Sequence, residues 1–327
     1  MPLRVRPLAL ALGLAATTAL SSGASAYTAY VSNEKDNTVT LIDTDTLEVI
    51  KTVEVGNRPR GITISHDGTR LYVCTSDDDT VQVYDAKTME LLYDLPSGPD
   101  PELFVLAPDG KLLYIANEDD ALVTVVDVET KKVVAEIPVG VEPEGMGVSP
   151  DGKFVVNTSE TTNMAHIIDT GTHEIVENVL VDARPRFAEF TPDGKELWVS
   201  AEIGGTVSVI DMDSRQITEK ISFEIQGVPK EAIQPVGVRI SKDGKKALVA
   251  LGPSNRVAVV DVASKKVEKY LLVGQRVWQL AFTPDGKLGF ATNGNSNDVS
   301  VIDMETFEVI KSVPVGGLPW GVVVSPN

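Results

Sequence analysis

An aspartate recurs along this chain at Asp43, Asp85, Asp127, Asp169, Asp211, Asp261 and Asp303, in steps of 42 residues apart from one of 50. Three positions after each stands a hydroxyl: Thr46, Thr88, Thr130, Thr172, Ser214, Ser264 and Thr306. Self-similarity at this period restricts a chain to a propeller or a similar repeat array. Before each Asp runs an alternating segment such as Val123-Thr124-Val125, the period-two signature of a strand. The Asp ends that strand. Its carboxylate is expected to accept backbone N–H groups of the following turn, and the Thr or Ser hydroxyl to do the same. Turn capping, rather than catalysis, is therefore the expected role of the seven aligned acids.

Each unit carries four strand signals. In the second they are Gly61 to Ser65, Leu71 to Thr75, Val81 to Tyr84 and Leu91 to Leu95, separated by Asp67-Gly68, Asp77-Asp78-Asp79, the Asp85 turn and Ser97-Gly98-Pro99. Four antiparallel strands in about 42 residues make one propeller blade; we name them a to d from the axis outward. Six Asp-Gly turns join a to b, at Asp67, Asp109, Asp151, Asp193, Asp243 and Asp285, against seven aspartates on strand c. The mature chain opens on a b-like segment, Tyr27 to Ser32, and closes on an a-like one, Gly321 to Pro326. One blade is thus expected to be built from both ends, with strand a from the C-terminus and strands b, c and d from the N-terminus. Such closure leaves no open edge between first and last blades. The fold class expected is all-β, a seven-bladed β-propeller.

Residues 1–26 read as a cleaved leader: Arg4 and Arg6, an apolar run from Leu8 to Leu20, and Ala24-Ser25-Ala26 as a small-x-small cleavage site. Residues 27–327 then form the single propeller domain, exported to a bacterial periplasm without membrane insertion. The net charge of −18 becomes −20 once the two leader arginines are lost. Such a surface repels nucleic acid and anionic membranes. The single cysteine, Cys74, lies in a strand and forms no internal disulfide; a buried, inert thiol is expected there. A monomer is expected.

No catalytic motif is present: no G-x-S-x-G, H-E-x-x-H, phosphate loop or C-x-x-C-H. The three histidines, His66, His166 and His173, fall in unrelated positions, and no metal site is expected. The acidic b–c loops, Asp77 to Asp79 and Glu118 to Asp120, read as solvated loops rather than cation sites. Inside the inner strands, Glu189 and Arg239 share a register that other blades fill with Thr63, Val105, Gly147, Ala281 and Val323, so a structural ion pair near the channel is expected. The 50-residue repeat owes its length to a d–a connection around Ile225 to Ile233, a candidate functional loop.

The most informative feature is the loop before each inner strand. Pro59, Pro101, Pro143, Pro185, Pro235, Val277 and Pro319 recur, and their flanks vary: Arg58 and Arg60, Asp100 and Glu102, Glu142 and Glu144, Arg184 and Arg186, Gln234 and Val236, Arg276 and Trp278, Leu318 and Trp320. These residues should ring the mouth of the channel. Arg58, Arg60, Arg276, Trp278 and Trp320 fall on three consecutive blades, a sector suited to a planar anionic ligand or to an acidic loop of a partner protein. The competing expectation is that Arg58 and Arg60 pair with Asp100 and Glu102 of the adjoining blade.

Tyr30-Val31-Ser32-Asn33, Tyr72-Val73-Cys74-Thr75 and Tyr114-Ile115-Ala116-Asn117, with the V-x-V-I/V-D-x-x-T and S/T-P-D-G-K segments, resemble the repeat of YVTN-family β-propellers. The leader and the Phe223 to Gly237 segment resemble, within that family, the propellers associated with pyrroloquinoline-quinone-dependent alcohol catabolism. The resemblance implies a non-catalytic periplasmic binding or scaffold role beside quinoprotein dehydrogenases. It implies no catalytic residues and no resident cofactor, with a non-covalent quinone as a possible ligand. The alternative is a lactonase-like hydrolase on a seven-bladed propeller, which requires general-base or metal-ligand groups converging on one face.

Overall fold

Each repeat folds into a four-stranded antiparallel sheet, and seven such sheets make up the computed structural model, which describes Met1 and residues 27–326. The leader, Met1 apart, and its expected cleavage point lie outside the described residues. Blade 1 is the composite one. Its strands are a, Pro319–Val324; b, Thr28–Asn33; c, Thr38–Asp43; and d, Val49–Glu54. Strand b pairs with strand a of the C-terminus through Ala29 opposite Val324 and Val31 opposite Val322. The ring is closed as the repeat count requires. Blades 2 to 7 follow in order, beginning with the inner strands Pro59–Ile64, Pro101–Leu106, Pro143–Val148, Pro185–Phe190, Val238–Ile240 and Val277–Phe282. Among the described residues no helix is long and apolar enough to cross a membrane.

The alternation that marks strand c does not separate a wet face from a dry one. Val123 and Val125 are buried, and so is Thr124. Each blade is clamped between two others, so both faces of its middle strands are covered. Thr124 is satisfied internally, donating to Asn117 Oδ1 at 2.7 Å. Tyr72, Cys74, Val81 and Leu95 of blade 2 pack on Phe104, Leu113 and Ile115 of blade 3 in one of these inter-blade cores. Cys74 is fully buried, and burial pushes its thiol well above the ordinary range, in keeping with an inert packing role.

The recurring Asp caps its turn as expected, with one difference. Asp43 Oδ1 accepts the N–H groups of Asp45 and Thr46, and the Thr46 hydroxyl donates to the same oxygen at 3.0 Å. The hydroxyl mainly anchors the carboxylate. Asp85, Asp211, Asp261 and Asp303 repeat the arrangement. At the a–b turns the glycine takes the left-handed conformation, as at Gly68 (φ 71°).

Candidate binding face at the channel mouth

The d–a and b–c loops emerge together at one end of the channel. The residue before the recurring proline is left-handed in six blades: Arg58 (φ 52°), Asp100 (48°), Glu142 (57°), Arg184 (58°), Arg276 (56°) and Leu318 (51°). That conformation costs a non-glycine residue roughly 1–2 kcal/mol. A side chain exactly half a repeat earlier, itself left-handed in its b–c loop, holds most of them. Asn37, Asn163, Asn255 and Asn297 accept the N–H groups of Arg58, Arg184, Arg276 and Leu318 at 2.9–3.0 Å, and Asp79 accepts that of Asp100 at 3.1 Å. The variable side chains are therefore displayed from fixed backbone.

The residue after the proline sits in a β-bulge, seen as a register shift between Pro59 and Ile62, Pro101 and Phe104, Pro143 and Met146, Pro185 and Phe187, and Val277 and Leu280. Bulges re-aim side chains. The inner ring so formed is Arg60, Glu102, Glu144, Arg186, Val236, Trp278 and Trp320. The next residue is glycine in four blades because the adjoining blade's carbonyl lies against it. A Cβ on Gly321 would meet Arg60 O at 2.6 Å, and one on Gly145 would meet Arg186 O at 2.7 Å.

The ring is knit by ion pairs. Arg58 meets Asp100 at 2.8 Å, Glu102 at 3.1 Å and Glu34 at 3.5 Å. Arg60 pairs with Glu102 and with Glu34 at 3.3 Å, and stacks over Trp320. Arg186 pairs with Glu160 and, at 3.0 Å, with Glu144. Arg184 reaches Glu160 at 2.8 Å and Glu202 at 3.2 Å. Arg276 donates to Glu202 at 2.8 Å and to Gln234 Oε1 at 3.1 Å. The expected pairing of Arg58 and Arg60 with Asp100 and Glu102 is thus present. A second set of acids, Glu34, Glu118, Glu160 and Glu202, escaped the reading of the proline flanks. Each directly follows a b strand, at spacings of 84, 42 and 42 residues, and that was the available signal.

Burial raises the proton affinity of the carboxylates here, and their excess over guanidinium groups adds to it. Burial, then Glu144, push Glu102 well above the usual carboxylate range, against the pull of Arg60. Burial and Glu144 also raise Glu118. Burial carries Glu160 up to about 7 despite Arg186. Burial works against the charge on Arg60, yet Glu102, Glu144 and Glu34 hold it above its ordinary value. Oxygens of Asp100, Glu102 and Glu118 converge within 4.8 Å. Arg58 and Arg60 already occupy the countercharge position beside Asp100 and Glu102.

The residues of the proposed sector lie together at the mouth and differ in exposure. Trp320 is fully buried, so its indole has no face open to a ligand. Trp278 is half-buried, with Arg276 over its ring at 4.3 Å and Arg186 at 5.7 Å. Arg276 points towards Glu202, two blades back, because the intervening blade offers Gln234 and no acid. The long connection supplies that glutamine. Phe223 and Ile233 bury its two ends, a single 3-10 turn spans Lys230–Ala232, and Gln234 follows. Lower in the channel, Arg239 and Glu189 form the expected ion pair, at 2.8 Å. The histidines are separate: His166 bonds Gly140 N and Asn178, and His173 lies beside Tyr114.

Two family models match the sequence: lactonase, 7-bladed beta-propeller, over residues 19–140, and choice-of-anchor I domain over residues 119–320. No curated protein matches the chain. Hydrazine synthase of Kuenenia stuttgartiensis is similar in structure, with TM-score 0.78 and 22% identity over 89% of this chain and 99% of that one. A functionally unknown protein of Desulfotomaculum acetoxidans gives 0.77 and 16%, over 92% and 99%. Dihydro-heme d1 dehydrogenase NirN in complex with DHE gives 0.69 and 16%, over 92% and 75%. At these identities the likeness is one of fold. The chain is a seven-bladed β-propeller of the lactonase-like type and, through the match over residues 119–320, belongs to the choice-of-anchor I domain family.

Proposed function

We propose that this propeller is a non-catalytic periplasmic binding or scaffold protein that engages a protein partner through the channel-mouth face, in the setting of quinoprotein alcohol catabolism. The resemblance of its repeats and its Phe223 to Gly237 segment to propellers of that setting supports the pathway. The observation that carries the binding role is the ion-pair network. All five mouth arginines are engaged across blade boundaries, so the charge pattern of the face is fixed before any partner arrives. Around it, the exposed acids Asp77, Asp78, Asp119 and Asp120 of blades 2 and 3 suit a partner with a basic patch. A small anionic aromatic ligand such as pyrroloquinoline quinone is the competing occupant. It would use Arg276 and Trp278, both partly exposed.

The test is capture of a quinoprotein dehydrogenase by immobilised residues 27–327, beside calorimetric titration with free pyrroloquinoline quinone. Asp119→Lys and Asp77→Lys should weaken protein capture by about tenfold or more, the scale of charge reversal at an interface. Capture that is absent, or indifferent to both reversals, refutes the reading. Quinone binding lost in Arg276→Ala would transfer the role to the small ligand.

A lactonase-like hydrolase is the second reading. The lactonase model match and Glu160, whose carboxyl burial raises to about 7 beside the buried Arg186, favour it. Against it, Glu102, Glu144 and Glu160 are all almost fully covered, so a substrate reaches them only if the ring opens. Turnover of a lactone panel by wild type, abolished in Glu160→Gln, would establish the enzyme.

A further inference from the structure

The other end of the channel carries a feature that the mouth does not use. Trp320, Val236, Glu102, Glu144 and Arg186 of the inner ring at the mouth are buried. Beneath it lies a cavity of about 200 Å³ that extends to His66, in an a–b turn on the opposite face. Its wall is mixed: Leu103, Val105 and Phe187 offer apolar surface, and Thr63, His66, Glu189 and Arg239 polar groups. The single ion pair of that wall is Arg239 with Glu189. Their side chains are 33% and 22% exposed, so solvent entering the well reaches both.

Arg239 is held but not saturated. Its Nη1 donates to Glu189, its Nε to Leu280 O at 3.1 Å, and its guanidinium lies over Phe187 at 4.6 Å. Its Nη2 has no hydrogen-bond partner among the described residues. Gln279, in the strand position of Leu103 and Phe187 and 4% exposed, leaves its Nε2 without a partner. The fold does not require the pair, since the remaining blades fill that register with small or apolar residues. Removing two charges from bulk water for packing alone is a poor exchange.

We infer that this well binds a small net-neutral zwitterion with an apolar tail, of the kind represented by valine or leucine. Its carboxylate takes Nη2 of Arg239, its ammonium takes the Glu189 carboxylate, and its tail lies on Leu103, Val105 and Phe187. The charge balance selects the class. A lone anion meets the charge of Glu189, a lone cation meets that of Arg239, and a zwitterion laid antiparallel to the pair meets neither. The volume, room for roughly seven waters, sets the size.

Calorimetry of residues 27–327 with L-leucine, isovalerate and 3-methylbutylamine tests this, because the three share a tail and differ in charge. Leucine should bind at one saturable site, and each single-charge analogue about tenfold or more weaker, the scale of one charge-assisted bond. Arg239→Gln and Glu189→Gln should each reduce leucine binding by a similar factor, with Glu189→Gln also narrowing the preference over isovalerate. Thr63→Phe narrows the well without touching the pair and should abolish binding in a folded protein. Absent leucine binding, equal binding of the three probes, or full binding by folded Thr63→Phe overturns the proposal.

Discussion

The two ends of the propeller use the same residue types to opposite effect. At the c–d and a–b turns, Asp67 and Asp151 are exposed and Asp43 and Asp261 partly so, and each accepts two or three local donors, which hold their carboxyls below the usual range, three of them at about 2. At the mouth, Glu102, Glu118 and Glu160 crowd one another away from water and are displaced upwards. The turn acids repeat in register, and each is satisfied within its own hairpin. At the mouth the pairing runs between blades, Glu102 with Arg60 and Glu160 with Arg184 and Arg186. A carboxylate's protonation is thus set by whether its donors are local and wet or distant and buried. One end is held hairpin by hairpin, and the other by pairs between blades.

The strongest way to break this contrast is to remove a buried cation. Arg186→Met strands Glu144 and leaves Glu160 to Arg184 alone, and should cost about 3–5 kcal/mol in urea unfolding, as expected when one partner of a buried pair is deleted. A change within error would mean that the mouth network is no more than surface pairing.

Next in size is the pH dependence. Glu160 holds its proton more tightly folded (about 7) than unfolded (about 4.5), so the unfolded chain releases it first as pH rises. Stability should therefore decline between about pH 4.5 and 7, by on the order of 3 kcal/mol at most. Glu160→Gln should flatten the profile in that window. The turn aspartates behave in the reverse sense, and their contribution disappears as pH falls from about 4 towards 2. A maximum of stability near pH 4 to 5 would display both ends in one curve, and a rise through neutrality would contradict it.

A smaller effect comes from the loop scaffold. Asn255→Ala removes the acceptor for the Arg276 N–H and should cost about 1 kcal/mol. The Arg276 amide proton should also exchange faster, since its hydrogen bond is lost. Smallest of all is one turn acid. Asp127→Ala should lower the melting temperature only slightly, and Asp127→Asn less still, because the amide oxygen keeps both backbone bonds. A loss as large as that of Arg186→Met would erase the distinction between the two ends.

By itself the sequence determined the number of blades, the strand order, the composite first blade and the ring of variable positions around the recurring proline. Those follow from local rules: a period of 42, Asp-Gly turns, and an alternating strand before every capped Asp. It also carried the Glu189–Arg239 pair, because two opposite charges broke one register. The tertiary structure decided which way the ring residues point. A bulge in the inner strands turns Trp320 into the core and Arg60 onto Glu102. The acids after the b strands become ring partners only because neighbouring blades approach closely enough for a glycine to face a carbonyl. Arg276 finds Glu202 across 74 residues because the blade between them contributes no acid. Hairpin chemistry is written within a few residues and can be read there. Pairing between blades depends on distances that arise only when the ring is closed.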